Sequence, residues 1–153
     1  MKSHKKAARL LQRAVELGDV DSMVNLGLLY ENGEGVKLDK KKAVKYYRMA
    51  AEWGNANAQC NLGNCYCTGN GVVQDYVEAF RLLKLAVDQG HAKAENSMGC
   101  MYTDGKGVEE DVAEAICWFE RAAAKGDEDA KQNLEMLRAS KLNYSVAPVE
   151  LNL

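Results

Sequence analysis

The chain has 153 residues, 47% of them hydrophobic and 27% charged, with a net charge of −2; that is enough for one domain or a short repeat array, and ordinary for a soluble globular protein. Thirteen glycines stand against a single proline, Pro148, and there are only two histidines, His4 and His91, so the composition favours helix and disfavours histidine-based catalysis or a histidine metal centre. Near-balanced charge gives no reason to expect nucleic acid or membrane as a partner, although residues 1–48 carry 11 Lys and Arg against 6 Asp and Glu, which makes that end basic and the remainder acidic.

Taken in chain order, the segment after Ser3 reads as a helix that ends at Gly18, and a second opens at Asp19 and runs to the turn Gly33–Glu34–Gly35–Val36. The same two elements then recur. Gly18, Gly54, Gly90 and Gly126 are 36 residues apart, as are Gly27, Gly63 and Gly99, and so are Tyr30, Tyr66 and Tyr102. The G-x-G-V turn returns at Gly69 and Gly105, and the aspartate that follows it returns as Asp39, Asp75 and Asp111. Self-similarity at one fixed period is the signature of a repeat architecture.

Each period holds a first-type and a second-type helix. The first opens at Asp19, Asn55, His91 or Asp127, three of which are strong N-caps. Along ANAQCNLGNCYC, residues Ala58, Leu62, Cys65 and Tyr66 share one face. The second opens on the aspartate, carries Ala79, Leu82, Leu83 and Ala86 as an apolar stripe, and closes on a left-handed glycine such as Gly90. Trp118 is placed with Tyr46 and Leu82 as the core aromatic of that helix. A glycine inside the first-type helix costs about 1 kcal/mol against alanine. Repeating that cost at Gly27, Gly63 and Gly99 predicts a close helix crossing that a β-carbon would obstruct.

GEGVKLDKK has the look of a phosphate-binding loop, but no strand precedes it and the turn recurs as GNGV and GKGV without the lysines, so it is read as an inter-helix turn. The last first-type helix, DEDAKQNLEMLRAS, has Glu135 in place of the glycine and Arg138 in place of the tyrosine, the polar replacement expected of a terminal cap. After Ser140 the period stops, and 141–153 is expected to be an extended or disordered tail beside an array spanning 1–140.

The pattern A-x-x-x-L-G-x-x-Y-x-x-G-x-G-V, then an aspartate and a helix ending A-A-x-x-G, resembles the Sel-one-like repeat family. It is carried by ANAQCNLGNCYCTGNGVVQDY, AENSMGCMYTDGKGVEED and VAEAICWFERAAAKGD. The resemblance implies an all-α, right-handed solenoid of about four repeats, related to the tetratricopeptide arrays. It also implies a non-catalytic adaptor or scaffold role. A cysteine-rich secreted branch of the family staples its repeats with disulfides. The matching second-helix positions here are Ala50, Ala86 and Ala122, with only Cys60 near the other half, which argues against that branch.

In such a solenoid the first-type helices line the concave face, and positions that vary between repeats face the partner. Those positions are Val24, Leu28 and Glu31; Cys60, Asn64 and Cys67; Asn96, Cys100 and Thr103; and Gln132, Met136 and Ala139. Asp21, Asn57, Lys93 and Asp129 flank them one turn earlier. The stripe is mostly neutral, with an apolar patch at Val24 and Leu28, and suits an extended or helical segment of a protein partner. Five cysteines without an N-terminal apolar run suggest reduced thiols in the cytoplasm. Cys60, Cys67 and Cys100 could converge on a zinc ion, but no histidine shares their face, and packing is the simpler reading; no cofactor or metal is expected. Cys65 and Cys117 are read as core neighbours. The expectation is a protein-interaction module, the alternative being a structural spacer or regulatory region in a longer protein. A monomer is expected, and head-to-tail stacking of the basic end on the acidic end is the competing oligomeric reading.

Overall fold

A computed structural model describes residues 2–145 as eight helices, with no strand among the described residues. They are α1 (Lys2–Glu16), α2 (Val20–Asn32), α3 (Lys40–Glu52), α4 (Ala56–Thr68), α5 (Tyr76–Asp88), α6 (Ala92–Asp104), α7 (Val112–Ala124) and α8 (Glu128–Ser145). Even-numbered helices are first-type and odd-numbered ones second-type.

The capping residues act as their chemistry requires. Asp19 accepts from the Ser22 N–H at 2.8 Å and Asn55 from the Ala58 N–H at 3.0 Å; both satisfy an orphan donor of the first turn. Asp75 and Asp111 each accept two such N–H groups. α8 runs to Ser145, five residues past the expected end of the array at 140, because no helix breaker occurs in its sequence before Pro148. Residues 141–145 are therefore helical, a correction to the expected tail boundary; 146–153 lie outside the described residues.

First- and second-type helices pack pairwise, α2 on α3, α4 on α5 and α6 on α7, and each second-type helix also meets the next first-type one. First-type helices additionally touch each other, α4 with α6 and α6 with α8. A layer whose helices approach one another is the inner side of a curved stack, so this layer forms the concave face.

The glycines explain the closeness of each pair. A β-carbon at Gly27 would lie 2.5 Å from the Tyr47 ring, at Gly63 2.9 Å from Leu83 Cγ, and at Gly99 2.5 Å from the Phe119 ring. Tyr47, Leu83 and Phe119 are each almost wholly excluded from solvent. Two of the three expected core positions shift by one residue: Tyr46 and Trp118 are only half-buried, because the space vacated by the glycine is filled from 47 and 119, whereas Leu82 is buried as expected beside Leu83. Between repeats, the second turn glycine rests on the first turn of the preceding second-type helix. A β-carbon at Gly107 would lie 2.6 Å from the Tyr76 carbonyl oxygen, and Gly71 meets Lys40 in the same way.

Candidate functional site

The first-type helices leave a broad groove on the concave face. Its largest hollow, about 630 Å³, is bordered by Val24, Asn25 and Leu28 of α2, Asn57 and Asn61 of α4, Lys93 of α6, and the turn at Lys125–Asp127. A second, about 290 Å³, lies toward the C-terminal ends of α2 and α4 beside Glu31, Asn64, Thr68 and Asn70. A third, about 220 Å³, separates α6 from α8 beside Cys100, Thr103, Asn133 and Met136.

Hydrogen bonds from one repeat to the next set the spacing of this face. Asn55 donates to Asp21 at 3.2 Å, the His91 ring lies 2.8 Å from Asn57 Oδ1, Asn70 donates to Glu31 at 3.2 Å, and Asn133 donates to Asn96 at 3.0 Å. His91 is also the N-cap of α6: its Nδ1 accepts from the Ala94 N–H at 3.2 Å. With Nδ1 an acceptor, Nε2 carries the proton and donates to Asn57. Partial burial, with the Lys93 charge next in size, holds the imidazole below its ordinary pKa.

The expected stripe is divided by these contacts. Leu28, Asn57, Asn64, Lys93, Cys100 and Thr103 border the hollows. Val24 touches the largest hollow only with its edge, being 7% exposed. Cys60 does not reach the groove. It is fully buried in the core cluster with Leu83, Ala94 and Met98, and burial pushes its thiol up to about 11. Glu31 is occupied inside the array by the Tyr47 hydroxyl, at 2.5 Å, and by Asn70. Asn96 is held by Asn133, and Asn96 and Cys67 border none of the three hollows. Cys117 is exposed, contrary to its placement beside the core, whereas Cys65 is buried. Among the described residues no three His, Cys, Asp or Glu side chains gather as a metal site requires.

Asn25 and Asn61 are the groove residues that sequence reasoning passes over. They belong to a position occupied by Asn25, Asn61, Ser97 and Asn133, and a position so nearly constant looks like framework. The usable signal is its polarity: on a helix packed on two sides, a position that stays polar in every repeat must face water.

The Sel1 repeat model matches residues 1–19, 20–55, 56–91 and 92–127, with boundaries that coincide with the N-cap positions. The chain belongs to the Sel1 repeat family. No curated protein matches it. Similar solved structures include a protective antigen of uropathogenic Escherichia coli displaying an SLR fold, at 37% identity and a TM-score of 0.78, covering 85% of this chain and 28% of that one. A Sel1 repeat protein of Oxalobacter formigenes gives 35% identity and 0.78, covering 85% and 53%. Cysteine-rich protein B of Helicobacter pylori gives 28% and 0.64, covering 87% and 96%. The chain thus spans about a quarter and about half of the first two relatives. All five cysteines of this Sel1 array are free, and Ala50, Ala86 and Ala122 are fully buried. Sel1 repeat proteins generally mediate protein–protein interaction, and no helix among the described residues is long and apolar enough to cross a membrane.

Proposed function

We propose that this Sel1 array is a non-catalytic protein-interaction module that holds a segment of a partner protein in the concave groove. The observation that carries the reading is the groove itself: side chains from α2, α4 and α6 border one continuous hollow, and the Asn25 and Asn61 amides make no hydrogen bond among the described residues. Amides left open on a rigid face supply both a donor and an acceptor to a partner backbone, and a preformed surface loses little conformational entropy on binding. Free thiols suit a reducing compartment, and we place the module in the cytoplasm.

The working form is a monomer. Stacking the α1 face of a second copy on α8 would bring that helix against Glu135, which stands where the earlier repeats carry glycine. The test is the triple substitution Asn25→Asp, Leu28→Asp and Asn61→Asp. All three side chains border the groove, so helical content by circular dichroism should hold while capture of partner proteins is lost. Unchanged capture with intact helicity would refute the groove, and no capture by the native protein would favour a spacer.

A further inference from the structure

Leu28, Asn61 and Lys93 border both the largest hollow and the second one. They come from three successive first-type helices and form a low ridge with a hollow on either side. Lys93 is the cation of this ridge. Its ammonium makes no ion pair or hydrogen bond among the described residues, yet its charge is felt at Cys60 on α4 and at His91.

Of the other charged groups of the groove, one is ion-paired and the carboxylates are oriented by neutral donors. Lys125 is held by Glu95, Glu31 by Tyr47 and Asn70, and Asp21 by Asn55, while Asp127 caps α8 through the Ala130 N–H at 2.8 Å. Lys93 is therefore a groove cation with no ion pair within 4.0 Å among the described residues, standing between two open hollows beside an amide with nothing to bind and an exposed leucine.

From this we infer that the groove takes an extended peptide segment with an internal aspartate or glutamate. Its carboxylate pairs with Lys93, its backbone meets the Asn61 amide, and an apolar side chain covers Leu28. The inference rests on the groove reading above. Alternate side chains of an extended chain point to opposite sides, which matches a ridge flanked by two hollows. Neighbouring helices stand about 8–10 Å apart and an extended chain advances about 3.3 Å per residue, so with the reach of the lysine side chain the acid and the apolar residue should be about three to five positions apart. The carboxylate is a side chain rather than a C-terminus because the groove continues past Lys93 on both sides, toward Lys125 and toward the hollow at Cys100 and Met136.

The test is selection from a library of random twelve-residue peptides, acetylated and amidated so that neither terminus is charged. The expected result is enrichment of Asp or Glu about three to five positions from Leu, Ile, Val or Met. Changing that acid to its amide should weaken binding to the native protein at least tenfold, about 1.4 kcal/mol. Lys93→Gln should reduce the difference between the two peptides to under threefold, and Lys93→Arg should retain it. Peptides that lose affinity on the Asn25, Leu28 and Asn61 triple variant but show no acid preference would overturn the carboxylate and leave the groove intact. Preference for a free carboxyl terminus over an internal acid would overturn the internal site. Peptides bound equally by the triple variant, or no enrichment at all, would overturn both.

Discussion

Glu95 is the only charged side chain among the described residues that is wholly excluded from solvent. Its Oε1 accepts from Lys125 Nζ at 2.7 Å and pairs with Arg121 at 3.0 Å, and its Oε2 has no partner. Lys125 also donates to the Gly90 carbonyl at 3.0 Å. One repeat earlier the same places hold two neutral amides: Gln89 donates to Gln59 Oε1 at 2.8 Å and to the Gly54 carbonyl at 3.0 Å. The molecule thus contains its own control. Breaking a fully buried ion pair costs about 3–5 kcal/mol. The cations here are 39% and 53% exposed, so screening lowers the expected cost of Lys125→Gln to about 1.5–2.5 kcal/mol. Glu95→Gln leaves both cations free to turn to water and should cost about 1 kcal/mol. The double variant reproduces the Gln59–Gln89 pair and should lie within about 1 kcal/mol of the native protein, a coupling of about 2 kcal/mol. Urea unfolding followed by circular dichroism measures all four proteins. Additive single effects, with the double variant the least stable, would refute the claim that the two pairs are interchangeable solutions at one site.

Three further outcomes follow from the same geometry. The native pKa of His91 is lowered, so the unfolded chain binds more protons and stability rises with pH; the contribution is complete above the unfolded value near 6.5 and is lost as pH falls below it. His91→Asn, which copies Asn55, should flatten the stability change between about pH 7.5 and 5.5, and an unchanged slope would refute the cap assignment. Iodoacetamide at pH 8 should label exposed Cys117 and Cys100 in the folded protein while sparing Cys60 and Cys65, whose thiols burial pushes up to about 11 and about 12; peptide mass mapping reads the order. Gly99→Ala should lower the melting temperature, because overpacking against Phe119 costs about 1–3 kcal/mol and the helix gains only about 1. Adding Phe119→Leu, the Leu83 arrangement, should shrink that penalty, and a rise in melting temperature for Gly99→Ala alone would contradict the crossing.

The 36-residue period, the two helices per repeat, the capping aspartates and the close crossing at Gly27, Gly63 and Gly99 were all legible in the chain. Each is a local or strictly repeated feature: a cap is satisfied within three residues, and a glycine in a helix interior has few other reasons to recur. The sequence likewise kept α8 free of breakers, but where a helix continues after its period has ended depends on propensity rather than pattern, and residues 141–145, expected as part of the tail, are helical.

Which side chains share the groove was decided only by tertiary structure. Position 60 is buried and position 61 faces the hollow, one step along the same helix. Variation between repeats cannot separate them, because burial against the next repeat also permits variation when the opposing residue changes with it. Gln59 with Gln89 and Glu95 with Lys125 show such paired change. Lys93 was visible as a charge on a flank; that it stands without an ion pair among the described residues, on a ridge made by three helices, is a property of their packing, since only the fold fixes which way the neighbouring carboxylates are turned.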